Sequence, residues 1–118
     1  MDFSNNQSEI IYSDYPERDL SHILDQYSPG KIFLATEDNV YNLWFKGRGF
    51  FENIPTIILP SGEENKKLDS VARVWDFLST RCADRKSLLI NVGGGMLTDL
   101  CGFAASTFKR GIDFVNIP

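Results

Sequence analysis

The sequence predicts an α/β domain, an open parallel sheet with helices on both faces. Compact apolar segments, such as residues 31–36 and 87–92, alternate with segments whose apolar residues recur every three or four positions. The apolar segments are hydrophobic throughout, which is typical of parallel strands covered on both faces. A length of 118 residues suits one domain with a single core.

Five strands are expected, because five short segments rich in Ile, Leu, Val, Phe and Tyr are bounded by turn residues. The first is a short opening strand at the margin of the sheet, and the other four form its parallel body. The predicted strands span residues 9–12, 31–36, 55–59, 87–92 and 112–117.

Four helices are expected between these strands. The third has the clearest helical spacing, with apolar residues at Leu68, Val71, Val74 and Leu78. The fourth is apolar nearly all round, which predicts burial on every side, including its acid Asp99. The predicted helices span residues 17–27, 39–45, about 66–81 and 96–109.

Composition excludes several classes of protein. The net charge of -4 and the interspersed charges leave no basic stripe of the kind that binds nucleic acid. No apolar run approaches the roughly 20 residues of a membrane span, and the polar start differs from a signal peptide, so the expected location is the cytoplasm. Cys82 and Cys101 are expected as buried thiols in a reducing compartment, and His22 as a surface residue. No metal site is expected within the chain.

The segments that follow the strands are the candidate binding loops. In an open α/β sheet, ligands bind beyond the carboxyl ends of the strands. These loops comprise residues 37–39, 61–66 and 93–95. They should converge on one edge of the sheet.

The glycines after the third core strand are the strongest local signal. A strand that enters Gly93-Gly94-Gly95 and then a helix lets a phosphate approach the backbone at the positive end of that helix. The spacing continues to Thr98, where the dinucleotide fingerprint has a third glycine, so a merely tight turn remains possible. Asp113 lies at the distance expected for a ribose-binding acid. It is rejected because it begins its strand instead of following one.

Four charged residues are candidate ligand contacts, and Asp99 and Arg110 also have a purely structural interpretation. Asp99, expected in the first turn of its helix, either complements the helix dipole or is a buried carboxylate that needs a ligand. Arg110 is either a last-turn cation or a phosphate ligand. Ser61-x-x-Glu64 matches a capping box, whereas Glu63 could accept ribose hydroxyls and Lys66 could meet a phosphate.

Two segments resemble the N-terminal half of the 3-dehydroquinate synthase family and of the wider sugar-phosphate cyclases. They are "SGEENKKLDSVARVWDFL" and "GGGMLTDLCGFAASTFKRGIDFVNIP", and the resemblance covers residues 31–118. Glycerol dehydrogenases and iron-containing alcohol dehydrogenases share the glycine turn and the acid after it, but are less similar around the second segment.

The resemblance implies a Rossmann-like N-terminal domain and a helical C-terminal domain with NAD in the cleft between them. Such an enzyme converts the sugar phosphate 3-deoxy-D-arabino-heptulosonate 7-phosphate into 3-dehydroquinate and phosphate, as a homodimer with zinc or cobalt. The cofactor contacts that it implies are Glu37, Asn39, Glu63, Lys66, Gly94, Gly95, Met96 and Asp99. Arg110 matches the arginine for the substrate phosphate. Glu37 departs from the family, where aspartate is common, and Thr98 stands where glycine is frequent.

Residues 1–118 are therefore expected to be a truncated N-terminal dinucleotide-binding domain. The metal ligands and further substrate ligands of the family would lie after Pro118, so no catalytic residue is expected here and the chain alone should be inactive. The alternatives are another sugar-phosphate cyclase, a glycerol-dehydrogenase-like NAD domain, and a self-contained nucleotide- or phosphate-binding module.

Overall fold

A computed structural model describes residues 2–4, 8–10, 16–28, 30–45, 53–61 and 68–117. The described strands are β1 (Asp2–Ser4), β2 (Ser8–Ile10), β3 (Ile32–Glu37), β4 (Thr56–Leu59), β5 (Leu88–Val92) and β6 (Asp113–Ile117). The described helices are α1 (Pro16–Leu24), α2 (Asp38–Val40) with a π-helical turn at Tyr41–Phe45, α3 (Leu68–Thr80), and α4 (Gly95–Thr107) with a 3-10 turn at Phe108–Arg110.

The described strands form one sheet in the order β2-β1-β6-β5-β3-β4. Neighbours among β6, β5, β3 and β4 are parallel, whereas β1 is antiparallel to both β6 and β2. The predicted α/β class with four parallel core strands is confirmed. From β3 the chain adds β4 on one side and then β5 and β6 on the other, so the order reverses between β3 and β5. This reversal is the switch point at which open α/β sheets bind ligands.

Two apolar layers cover the two faces of the sheet. In β5, Leu89 packs in the layer that contains α3 and α4, whereas Leu88 and Ile90 pack in the layer that contains α1. The Trp75 indole N–H donates to the Ala104 carbonyl at 3.1 Å and so joins α3 to the end of α4. The prediction of helices on both faces is confirmed.

The margin of the sheet holds one strand more than the sequence predicts. The predicted opening strand corresponds to β2 at the edge, although Tyr12 lies outside the described residues. β1 lies within the polar start of the chain, which gives no strand pattern. It pairs with β6, with Phe3 opposite Val115, so its strand structure depends on a partner from the other end of the chain.

The prediction that α4 is buried all round is wrong. One side of the helix faces the sheet and α3, and its buried residues are Leu97, Leu100, Cys101, Gly102, Ala104 and Ala105. Asp99, Phe103 and Ser106 are exposed on the opposite side, because a spacing of three or four residues returns to the same side of a helix. Phe103 keeps 53% of its surface exposed.

The prediction that Cys82 is buried is also wrong, since its side chain is exposed. Cys82 has a φ of 61° in the turn that ends α3. The Ala83 N–H donates to the Leu78 carbonyl and the Cys82 N–H donates to the Ser79 carbonyl, the pattern of a Schellman cap. The residue at this left-handed position points away from the core, and Ala83 is buried in its place.

Candidate functional site

The switch point brings a carboxylate against the glycine turn. Glu37 is the last residue of β3, and Gly93 and Gly94 follow β5, which pairs with β3 in parallel. The Gly94 N–H donates to Glu37 Oε1 at 3.0 Å. Glu37 is only 8% exposed, so its carboxylate lies within the crevice between the two strand ends. The expected convergence of the first and third loops is confirmed.

Further hydrogen bonds hold this turn against its neighbours. The Thr36 hydroxyl donates to the Val92 carbonyl at 2.8 Å, across the switch point. The Gly93 N–H donates to the Ile117 carbonyl at 3.1 Å and so extends the pairing between β5 and β6. Both neighbouring strands therefore fix the backbone that leads into α4.

The glycines of the turn differ in the space around them. A Cβ at Gly93 would lie 2.6 Å from Glu37 Oε1 and 2.7 Å from Leu97 Cδ2, so the packing requires a glycine there. A Cβ at Gly95 would meet no heavy atom within 4 Å. Gly94 and Gly95 are exposed, and the first N–H groups of α4 have no partner within the helix. A pyrophosphate fits this open backbone at a helix start.

A second pair of loops meets beside this turn. The Ser61 hydroxyl, after β4, donates to Asp38 Oδ1 after β3. The Asn39 N–H donates to the same carboxylate at 2.7 Å. The Ser61 hydrogen bond first, and the Asn39 hydrogen bond second, lower the pKa of Asp38 below its ordinary value. The loop that contains Glu63 and Lys66 thus begins beside the loop of Asn39, but Glu63 and Lys66 themselves lie outside the described residues.

The predicted contacts on α4 have different environments. Met96 is partly buried against the core between α3 and the sheet. Asp99 is exposed and is the fifth residue of α4, so the predictions that it is buried and that it lies in the first helical turn are wrong. Its position on the outer side of α4 leaves it accessible to a molecule bound over that side.

Cys101 is a neutral buried thiol below this site. Burial, and secondly the charge of Glu37, raise the pKa of Cys101 to about 12. Its predicted burial is confirmed, because its side chain is fully enclosed.

Arg110 lies at the other end of α4. This helix has 13 residues, so the exposed Arg110 is about 20 Å from the glycine turn, at the amino edge of the sheet. Lys109 and Arg110 have φ of 46° and 72°, and the Gly111 N–H donates to the Phe108 carbonyl at 2.7 Å. This is the geometry of a type I′ turn. The described chain does not bring Arg110 to the other predicted site residues.

Asp113 begins β6 at this same amino edge. It accepts a hydrogen bond of 2.6 Å from the Tyr27 hydroxyl. Burial, followed by this hydrogen bond, raises the pKa of Tyr27. The rejection of Asp113 as a ribose ligand agrees with this position.

Within the described ranges, no group of three or more His, Cys, Asp or Glu side chains could hold a metal ion. In the same part of the chain, no helix is both long and apolar enough to cross a membrane.

The predicted loop 37–39 includes Asp38 but not Thr36, and neither residue was predicted to make a contact. Both lie at the carboxyl end of β3, and a position at the end of a predicted strand indicates the ligand-binding edge. Their partners Val92 and Ser61 are distant in sequence. Only the order of the strands shows that these residues meet.

Comparison with known proteins identifies a family. The family model described as 3-dehydroquinate synthase N-terminal matches residues 56–118. The 3-dehydroquinate synthase of Parabacteroides distasonis is 37% identical over 97% of this chain and 33% of its own length. That of Pyrococcus abyssi is 39% identical over 92% of this chain and 33% of its own length. The chain therefore spans about a third of the relatives that it matches.

A solved structure gives the same assignment of fold. A crystal structure of 2-deoxy-scyllo-inosose synthase, complexed with carbaglucose-6-phosphate, NAD+ and Co2+, has a TM-score of 0.71 and 25% identity. The similarity covers 90% of this chain and 30% of that chain. The Rossmann-like fold of a sugar-phosphate cyclase is thus confirmed.

Proposed function

The chain belongs to the 3-dehydroquinate synthase N-terminal family, and on this premise we propose that residues 1–118 form the NAD-binding domain of a 3-dehydroquinate synthase. The complete enzyme would convert 3-deoxy-D-arabino-heptulosonate 7-phosphate into 3-dehydroquinate and phosphate. The family is shown for this domain, and the reaction of the complete enzyme is proposed from it.

One observation carries the proposal. At the switch point, a buried carboxylate, an open glycine backbone and a helix N-terminus lie within hydrogen-bonding distance of one another. A dinucleotide offers hydroxyls for a carboxylate and phosphates for backbone N–H groups, so its two kinds of polar group match this edge. The related 2-deoxy-scyllo-inosose synthase, which is complexed with NAD+, supports the same choice of ligand.

The proposed roles follow from position. Gly95 and Met96 would donate backbone N–H groups to the pyrophosphate, beside Gly94. Asn39, at the start of α2, would contact the cofactor from the neighbouring loop, and Asp99 from the outer side of α4. Glu63 and Lys66 are assigned to ribose and phosphate, respectively, through the family resemblance.

NAD, when bound, would supply a transient oxidation of a substrate hydroxyl and its later reduction. The divalent metal, zinc or cobalt, would polarise the reacting oxygens and would be bound by residues outside those described here. The domain would hold the dinucleotide through its backbone and Glu37, and would exclude water from one side of it.

Arg110 remains a proposed ligand of the substrate phosphate. Arg110 is about 20 Å from the start of α4. It would therefore bind substrate in a cleft that does not include the glycine turn of the same subunit. The homodimer proposed for the complete enzyme is one arrangement that could bring the amino edge of one subunit to such a cleft.

The test has two parts, both on the 118-residue chain. Calorimetric titration should detect weak NAD binding, reduced about tenfold by Lys66→Ala if Lys66 meets a phosphate. Lys86→Ala, at the opposite edge of the sheet, serves as the control. A wild-type chain that binds neither NAD nor ADP at millimolar concentrations would refute the proposal.

The second part measures phosphate release from the heptulosonate phosphate with NAD and zinc. No release above a blank without protein is expected, because the metal ligands and the second cleft wall are proposed to lie outside residues 1–118. Turnover by the chain alone would contradict the proposal that this domain binds the cofactor and that the metal ligands lie elsewhere in the enzyme.

A further inference from the structure

We propose that a groove between α3 and the turn after α4 binds a small zwitterion with an apolar body, such as an aromatic α-amino acid. The groove has a volume of about 510 Å³. It lies at the far end of α4, whose 13 residues separate it by about 20 Å from the glycine turn. Binding there does not depend on the proposed cofactor site.

Two short segments form the walls of the groove. On α3 the lining residues are Ala72, Trp75, Asp76 and Ser79, which recur every three or four positions and so share one side of the helix. Residues 107–109, at the end of α4 and in the turn after it, form the opposite wall. The volume falls within the roughly 300–1,000 Å³ that is typical of small-molecule sites, so we assign the groove to a small molecule.

An aromatic ring provides the apolar surface of the groove. The Trp75 indole N–H donates to the Ala104 carbonyl at 3.1 Å and to the Thr107 hydroxyl at 3.2 Å. These contacts fix the ring between α3 and the end of α4. They also use its one polar atom, so the rest of this half-buried ring is apolar. A flat apolar group can pack against such a ring in the offset or edge-to-face arrangement that aromatic pairs prefer.

Charges of opposite sign lie on the two walls. The exposed Asp76 carboxylate belongs to α3, and the exposed Lys109 ammonium, 5.7 Å from the centroid of the Phe108 ring, belongs to the turn. Within the described part of the chain, these two charged groups do not form an ion pair with each other. A ligand that carries both an ammonium and a carboxylate can therefore meet each charge with its opposite, whereas a ligand with one charge leaves one wall unmatched.

The expected affinity is low, because both charged groups are exposed. An ion pair at an exposed site changes an affinity by up to about fivefold. The dissociation constant of an aromatic α-amino acid should therefore be about millimolar. Removal of either charge from the ligand should weaken binding by a measurable factor.

The probes are L-phenylalanine, phenethylamine, which lacks the carboxylate, and 3-phenylpropionate, which lacks the ammonium. Each is titrated into the isotope-labelled 118-residue chain and followed by NMR chemical shifts. Phenylalanine should bind about three- to fivefold more tightly than either of the other probes. It should shift the backbone amide signals of residues 72–79 and 107–110 and leave those of residues 93–95 unchanged.

Two variants assign each charge of the ligand to its wall. Lys109→Gln should abolish the preference for phenylalanine over phenethylamine, and Asp76→Asn should abolish the preference for phenylalanine over 3-phenylpropionate. The matched controls are Lys86→Gln and Asp25→Asn, at exposed residues outside the lining of the groove. Both controls should retain the wild-type order of affinities.

Equal affinities of the three probes for the wild-type chain would overturn the proposal, and this comparison requires no variant to fold. No shift at about 20 mM phenylalanine, or shifts confined to residues outside the groove, would also overturn it. A preference for phenylalanine that survives both Lys109→Gln and Asp76→Asn would contradict it as well, because other groups would then bind the charges of the ligand.

Discussion

The two ends of α4 differ in how residue type matches backbone conformation. At its start, Gly94 has a φ of -72° and an extended ψ of 179°, a conformation that any residue adopts. At its end, Lys109 and Arg110 have φ of 46° and 72°, the region in which glycine is favoured. Gly94 thus occurs where the backbone does not need glycine, whereas Lys109 and Arg110 occur where glycine would be favoured.

Glycine can be required for two different reasons: the space left by its missing side chain, or a left-handed backbone conformation. At the start of α4, the glycines leave space, which Glu37 fills beside Gly93 and which remains open beside Gly95. At the end, a left-handed conformation of two residues with a Cβ costs roughly 1–2 kcal/mol for each residue. Strain of this kind persists where surrounding structure enforces it, commonly at functional sites.

The largest expected effect is on ligand affinity at the open glycine. Gly95→Val should lower the affinity for NAD by about 10–100-fold, because its side chain would occupy the position of the pyrophosphate and cost about two hydrogen bonds. The apo chain should still fold, since a Cβ there meets no atom. Ser106→Val introduces the same side chain at an exposed site further along α4. NAD affinity should be unchanged in that control, and equal losses in both variants would contradict the assignment.

The next effect is on stability at the filled glycine. Gly93→Ala should lower the free energy of unfolding by about 1–3 kcal/mol, because the new methyl group must displace the Glu37 carboxylate or Leu97. Gly95→Ala is the matched control and should be neutral or stabilising by up to about 1 kcal/mol. Urea unfolding measures both variants. Equal changes would show that space does not distinguish these two glycines.

The far end of α4 should respond with the opposite sign. Lys109→Gly and Arg110→Gly should each raise the free energy of unfolding by about 0.5–1 kcal/mol, because relief of left-handed strain exceeds the entropic cost of glycine. Lys86→Gly, in a turn without positive φ, should be neutral or destabilising. Destabilisation by all three substitutions would show that the turn at Phe108–Arg110 is not strained.

The smallest expected effect at neutral pH comes from Cys101. Its pKa is raised to about 12 in the folded chain, so the unfolded chain loses the thiol proton first as the pH rises above about 9. The stability that this group contributes is complete below pH 9 and is lost as the pH rises towards 12. Urea unfolding at pH 8 and pH 10.5 should show this loss in the wild type and a smaller loss in Cys101→Ala. Equal losses would assign the alkaline sensitivity to other groups.

Much of the fold could be predicted because its signals are local. The apolar segments of β3 and β5 and the helical spacing in α3 follow from residues that are close in sequence. The strand β1 and the reversal between β3 and β5 depend on pairing between distant segments, which no local pattern reports. For the same reason, the contacts of Thr36 and Asp38 were not identified, although Glu37 and the glycine turn were placed on one edge correctly.

The errors on α4 have a common cause. Its sequence is apolar enough that periodicity does not distinguish the buried side from the exposed one, so Asp99 was expected to be buried. The structure places it on the same side as Phe103, facing away from the sheet. The sequence of α4 does not indicate which side of the helix packs against the sheet.

The most direct test of the account is a map of NAD binding along α4. In the isotope-labelled chain, NAD should shift the backbone amide signals of Glu37 and residues 93–99, and should leave those of residues 108–111 unchanged. Shifts concentrated at Lys109, Arg110 and Gly111, with no response at the glycine turn, would contradict the central claim that the dinucleotide binds at the switch point between β3 and β5.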